Sequence, residues 1–127
     1  MSATLIVPVL NELRGLKAVM SRLPALDQIL VVDGGSTDGS VEWCLQQGYD
    51  VLVQRRAGLR AALGEVWNKA RGDVLVEFSP DGNSDPARVA PLLAAMRRDP
   101  ALDMVIVSRY LEGAVSDDDT PLTALAN

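Results

Sequence analysis

Gln28-Ile29-Leu30-Val31-Val32-Asp33-Gly34-Gly35-Ser36-Thr37-Asp38-Gly39-Ser40 is the stretch on which the fold turns. It opens with a short aliphatic run closed by a carboxylate. A strand with one wet face alternates apolar and polar residues, whereas a continuous run fits a strand buried on both faces, as in a parallel sheet. Two glycines break the run. Ser36 or Asp38 can then cap a helix that reaches about Gln47 and stops at Gly48. Strand, tight turn and capped helix are the repeating half of a βαβ unit.

The same grammar extends in both directions. Thr4 to Val9 is a first aliphatic strand, and Glu12 to Arg22 follows with apolar residues at helical spacing. Asp50 to Gln54 is a third strand, and Leu59 to Ala70 a helix closed by Gly72. Asp73 to Phe78 is a fourth strand. Asp85-Pro86 starts a helix to about Arg98, with a capping carboxylate and proline at the first helical position. Met104 to Ser108 is expected as a fifth strand, and Leu111 to Asn127 as a loop or frayed end. The order βαβαβαβαβ predicts an α/β fold, Rossmann-like, with a mainly parallel sheet covered by helices on both faces and right-handed crossovers.

The chain has 127 residues, 48% of them hydrophobic, enough for one domain with a core. Aromatic residues are only 4%, so that core is aliphatic. The net charge of −5 argues against nucleic acid as a partner, which needs clustered Lys and Arg. One bound nucleotide remains compatible, because a metal ion and a few local cations hold two phosphates. There is no histidine, so any acid–base chemistry falls to carboxylates. The single cysteine, Cys44, lies in an apolar helical pattern and reads as a buried structural thiol, in keeping with a reducing compartment. Asp117-Asp118-Asp119 reads as a solvated loop. No apolar run spans a bilayer and no signal-peptide pattern opens the chain, so the expected location is the cytoplasm, at most peripheral to a membrane.

In such sheets ligands bind beyond the carboxyl ends of the strands. The unusual polar residues cluster there: Asn11 and Glu12, Asp33 to Gly39, Arg55 to Arg60, Ser79 to Asp85, and Arg109. Short capping loops would be polar too, so the clustering points to a site without identifying it. Asp33 can accept from a base N–H or a ribose hydroxyl, and Gly34 and Gly35 let backbone pass close to a flat ligand; equally, the segment is a tight turn with a good cap. Ser79, Asp81 and Asn83 bring oxygen to one point if their segment is extended, and hard cations such as Mg²⁺ and Mn²⁺ take oxygen ligands; equally, it is a turn before a helix that Asp85 caps. Arg109 could pair with a phosphate, or be a surface arginine.

Taken in order, these stretches resemble the family 2 glycosyltransferases, most closely the branch that loads polyprenyl and dolichyl phosphates with a sugar. Pro8-Val9-Leu10-Asn11-Glu12 is similar to the family's P-x-x-N-E, and Asp33 to Gly39 to its D-D/G-G-S-x-D segment. Gly58 to Asp73 looks like its G-x-x-x-A helix ending in A-x-G-D. Ser79 to Pro86 occupies the place of its D-x-D motif, and Ser108-Arg109-Tyr110 matches its late S-R-Y.

The resemblance implies a GT-A nucleotide-sugar-binding fold over residues 1–113, with 114–127 a loop or the start of an acceptor region. It implies that Pro8, Leu10 and Glu12 line a nucleoside pocket beside Asp33 and Gly35, and that Ser79 and Pro80 border the donor. It implies that Asp81, aided by Asn83 and Ser79, binds Mg²⁺ or Mn²⁺ at the diphosphate of a UDP- or GDP-sugar. Arg109 would hold a diphosphate oxygen, and the acceptor would be a lipid phosphate at the membrane surface. Asp81 and Arg109 would then stabilise the departing nucleoside diphosphate. Ser79 stands where the family has the first aspartate of D-x-D, and a neutral hydroxyl is a weaker ligand. Family members usually continue with acceptor-binding segments. The alternative is therefore a nucleotide-sugar-binding or assembly module whose acceptor half comes from a partner or a second copy of the chain. A dinucleotide-binding G-x-G-x-x-G after the first strand and a P-loop are both absent.

Overall fold

A computed structural model describes residues 1–107. Its elements run β1 (Ala3–Val9), α1 (Leu13–Val19), β2 (Gln28–Asp33), α2 (Ser40–Gln46), β3 (Asp50–Val53), α3 (Leu59–Val66), β4 (Val74–Glu77) and α4 (Val89–Arg98). Short 3-10 turns at Met20–Arg22 and Pro86–Arg88 extend α1 and introduce α4. All strand pairs are parallel, in the order β3-β2-β1-β4. The expected α/β architecture is borne out, with β2 at the residues its aliphatic run marks out.

The core forms two layers. Ala3, Leu5, Val7 and Val9 of β1 meet Leu16 and Val19 of α1, Cys44 of α2 and Leu93 of α4 on one face. Ile6, Leu30 and Val32 meet Ala62 and Val66 of α3 on the other. Helices thus cover both faces, which is why the central strands carry no polar alternation. The single aliphatic α3 shields β1 and β2, with Leu52 of β3 packed at its margin. On β4, Leu75 and Glu77, level with Thr4 and Ile6 of β1, stay exposed on that face.

Gly72 is dictated by close approach. A Cβ there would stand 2.5 Å from the Thr4 backbone nitrogen and 2.7 Å from the Ala3 carbonyl carbon. Gly48, at φ 79°, ends α2 where the sequence stops it. The helix expected over Leu59 to Ala70 is shorter: it ends at Val66, and the Lys69 and Ala70 amides both turn back onto the Val66 carbonyl.

The fifth strand does not form over Met104 to Val107. These residues carry no strand, and Met104, Ile106 and Val107 are exposed. An aliphatic run becomes a strand only with a ladder partner and cover. Among the described residues nothing covers one face of the sheet beside β4. Ser108, Arg109 and Tyr110, with the expected loop beyond them, lie outside the described residues.

Candidate functional site

Four loops leave the carboxyl edge of the sheet side by side, and the register sets their heights. Val9 of β1 pairs with Asp33 of β2, and Asp33 with Val53 of β3. On the other flank Ile6 pairs with Glu77, and the Phe78 amide still donates to the Ile6 carbonyl (2.9 Å). Counting on from that pair carries Pro80 to the height of Val9. The Asp33 and Asp81 loops therefore flank the β1 loop on one edge, two inter-strand spacings or about 10 Å apart.

Asp33 is 1% exposed and its two oxygens are used differently. Oδ2 accepts from the Gly35 (2.8 Å) and Ser36 (3.0 Å) amides, which folds the glycine turn back over the strand end. Oδ1 is buried and, among the described residues, has no hydrogen-bond partner. The Asp33 charge reaches Cys44: burial first, then this carboxylate, pushes the Cys44 thiol up to about 11. Cys44 is fully buried, the structural thiol its pattern predicts. Gly35, at φ 106°, adopts backbone that other residues avoid, and a Cβ there would meet nothing.

The loops after β1 and β2 are stitched together. Asn11, the one non-glycine residue with positive φ (54°) among those described, donates its amide to Ser36 Oγ (2.8 Å), and its Oδ1 accepts from the Thr37 amide (2.8 Å). The Glu12 amide donates to Ser40 Oγ (3.2 Å). Asp38 Oδ1 accepts from the Ser40 amide and hydroxyl, while Oδ2 accepts from Leu13 at the start of α1 (3.0 Å). The Ser40 hydroxyl, then the Leu13 amide, hold the Asp38 carboxyl below its ordinary 3.8. Asp38 thus satisfies the starts of two helices, whereas Ser36, also expected as a cap of α2, serves Asn11. Leu10 stands 58% exposed beside this latch, and Glu12 is half-buried. Pro8 pairs with Val32 and leaves β1 toward α3, on the face opposite the Asp33 side chain.

Ser79, Asp81 and Asn83 do not lie along an extended segment. Residues 80–83 turn, with Gly82 at φ 92°, and the Asn83 amide donates to Asp81 Oδ1 (2.9 Å). The turn replaces the alternation that would have aimed the three side chains at one point. Asp81 and Asn83 are exposed and Ser79 half-buried; Phe78 and Pro80, on either side of Ser79, are buried. Asp85 is the helix cap its pattern predicts, accepting from the Ala87 amide (3.0 Å). Among the described residues no group of three or more Cys, Asp or Glu gathers as a metal cluster. The loop instead offers one carboxylate with neighbouring hydroxyl and amide oxygens, a donor set that suits Mg²⁺ or Mn²⁺ when phosphate oxygens and water complete the shell.

Sequence reasoning missed two features. One is Gln54, whose amide donates to the Asp33 carbonyl (2.9 Å) and whose side-chain Nε2 donates to the carbonyls of Arg56 and Gly58, shaping a loop with exposed Arg55 and Arg56. The polar cluster after β3 was the signal for it. The other is Gly15 of α1, on the Pro80 carbonyl, for which no local signal exists.

The profile of glycosyl transferase family 2 matches residues 4–125. An undecaprenyl-phosphate mannosyltransferase of Micrococcus luteus is 37% identical over 121 residues, covering 85% of this chain and 48% of its own. A dolichol-phosphate mannosyltransferase of Mycosarcoma maydis is 32% identical, covering 95% and 46%. The chain thus spans about half the length of these relatives. Among solved structures, glucosyl-3-phosphoglycerate synthase of Mycobacterium tuberculosis, in complex with Mn²⁺, UDP and phosphoglyceric acid, superposes with a TM-score of 0.65 at 25% identity, covering 75% of this chain and 38% of its own. A CMP-2-keto-3-deoxy-manno-octonic acid synthetase complexed with CTP shares the fold alone, at a TM-score of 0.63 and 16% identity, over 80% of this chain and 50% of its own.

Proposed function

From the premise that this chain belongs to glycosyl transferase family 2, we propose that it binds a nucleoside-diphosphate sugar along the carboxyl edge of its sheet and serves transfer of that sugar to a polyprenyl phosphate. The observation that carries the donor half is the buried Asp33 with one oxygen unpartnered among the described residues. A buried acceptor left empty carries a desolvation cost, and a base N–H or ribose hydroxyl arriving under the Gly34–Gly35 turn relieves it. Exposed Leu10 offers an apolar surface for the base, with Glu12 as further lining; Pro8, on the opposite face, stands outside this pocket.

The diphosphate then runs across β1 toward β4. Asp81, with Ser79 and Asn83, would hold a divalent cation against it, and Pro80 borders the path. Such a cation, when bound, neutralises charge on the leaving diphosphate. The protein's own contribution is to keep Asp81 at a set height, and Arg109 would hold a diphosphate oxygen. A phosphate-anion acceptor is already nucleophilic, so transfer needs no strong base, in keeping with a chain that has no histidine. The curated relatives named for undecaprenyl and dolichol phosphate support that acceptor class. Among the described residues no helix is long and apolar enough to cross a membrane.

A second reading keeps donor binding alone: a donor-binding module whose acceptor half is supplied by a partner or a second copy. Incubation with Mn²⁺, UDP- and GDP-sugars and a polyprenyl phosphate separates the two. Glycolipid product supports the transferase; donor binding without product supports the module; neither binding nor product rejects both.

A further inference from the structure

Gly15 sits in the first turn of α1, inside a helix, where alanine is the better residue on propensity alone. Its φ is not among the positive ones, so backbone conformation does not require glycine. What requires it is a neighbour. A Cβ at Gly15 would collide with the carbonyl oxygen of Pro80, and would stand 3.1 Å from that carbonyl's carbon and 3.3 Å from Glu12 Oε2. The obstacle is backbone, not the yielding end of a side chain. Pro80 itself is fully buried and its carbonyl belongs to the peptide that leads into Asp81.

The same helical unit touches this loop again at its far end. Arg22 lies 3.7 Å from Asp85, the residue that caps the turn before α4. The loop from Pro80 to Asp85 is therefore braced at both ends by one helical unit, rigidly at Gly15 and through an exposed ion pair at Arg22. The loop's exposed middle, Asp81 to Asn83, projects from that brace.

We infer that Gly15 is a positioning residue: its missing side chain lets Pro80 seat on α1 and so sets the height at which Asp81 meets the diphosphate and its cation. The inference rests on the donor-site reading above. A side chain at position 15 shifts the Pro80–Asp81 peptide while leaving Asp33 and the Asn11–Ser36 latch where they are. Metal-dependent and metal-independent binding then separate.

The test measures binding of UDP and of GDP by calorimetry, with and without Mn²⁺, for the wild type, Gly15→Ala, Asp81→Ala and, as a control on an exposed position of the same helix, Lys17→Ala. Gly15→Ala should lose tenfold or more of the Mn²⁺-dependent gain in affinity while its metal-free affinity stays within twofold of wild type. Lys17→Ala should leave both unchanged. A Gly15→Ala protein that keeps the full Mn²⁺ gain overturns the inference; if Asp81→Ala loses that gain in the same experiment, the site reading stands alone. If the wild type shows no Mn²⁺ gain, both fall. Equal loss of metal-free and metal-dependent binding in Gly15→Ala means a general structural role and also overturns it. Should Gly15→Ala not fold, Pro80→Gly loosens the other side of the contact, because it frees the backbone whose carbonyl seats on α1. It should show the same selective loss, and an intact Mn²⁺ gain there overturns the inference.

Discussion

Asp33 joins two demands in one side chain. Its Oδ2 is consumed by the turn and its Oδ1 is left unpaired in a buried place. An unsatisfied buried polar group costs about 1–3 kcal/mol. Asp33→Asn keeps an acceptor for the Gly35 and Ser36 amides and removes the buried charge. The variant trades an unpaired charged acceptor for an unpaired amide NH₂, so its stability should stay within about 1 kcal/mol of wild type, yet it should bind UDP and GDP at least tenfold more weakly even without metal. Denaturant unfolding and calorimetry read the two effects. Unchanged affinity removes Asp33 from the site. Cys44, beside it, should resist alkylation at pH 8 in the folded protein and react on unfolding, because burial lifts its thiol from 9.0 to about 11. The raised value makes the neutral thiol a native-state preference. That share of stability is whole below pH 9 and is lost as pH climbs through about 11. Rapid alkylation at pH 8 without unfolding would contradict the burial.

Among the elements, α1 and α2 are coupled at their starts through Asp38, whose carboxylate accepts from Leu13 in one and Ser40 in the other. Its carboxyl is held below 3.8, so the coupling is present above that pH and is lost as pH falls through the lower folded value. Asp38→Ala should lower the thermal midpoint at pH 7, and the gap to wild type should close on acidification. A gap that persists at pH 2 would assign the effect elsewhere. How much of this was legible depends on distance along the chain. Strand β2 and the Asp85 cap were readable because their causes lie within a few residues: aliphatic continuity, a capping carboxylate, a following proline. Asp38 was readable as a helix cap but not as a latch, since its second partner is 25 residues away. Gly15 and Gly72 were not readable as close-approach positions, because what crowds them is tertiary backbone. The run Met104 to Val107 has strand composition, yet composition does not supply cover or a ladder partner. Arg109, the remaining expected site residue, lies outside the described residues.

At the scale of the molecule, the two edges of the sheet are built on opposite principles. At the amino edge every polar group of buried Gln28 is matched: Oε1 accepts from Thr4 Oγ1 (2.8 Å) and the Arg71 amide (2.9 Å), while Nε2 donates to Asp50 Oδ2 (2.7 Å) and, at 3.3 Å, to the Lys69 carbonyl. Thr4 Oγ1 also accepts from Gly72 (2.9 Å), and Arg71 pairs with Asp50 at 3.0 Å. The carboxyl edge instead leaves Asp33 Oδ1 unpaired and Asp81 in solvent. A saturated buried network specifies structure, whereas unsatisfied groups on a rigid edge are available to a ligand. The seven residues of β1 hold the two edges about 20 Å apart, beyond the range at which substitutions usually couple. Thr4→Val strands the Gly72 amide and one Gln28 acceptor bond, so it should cost about 1–3 kcal/mol of stability with nucleotide affinity unchanged. Asp81→Ala should abolish the Mn²⁺-dependent part of donor binding and leave unfolding within about 0.5 kcal/mol of wild type. The double variant should add the two within about 0.5 kcal/mol. A larger coupling would mean that the polar network at the amino edge reaches the Asp81 loop through β1 and β4, and that the sheet does not insulate one edge from the other.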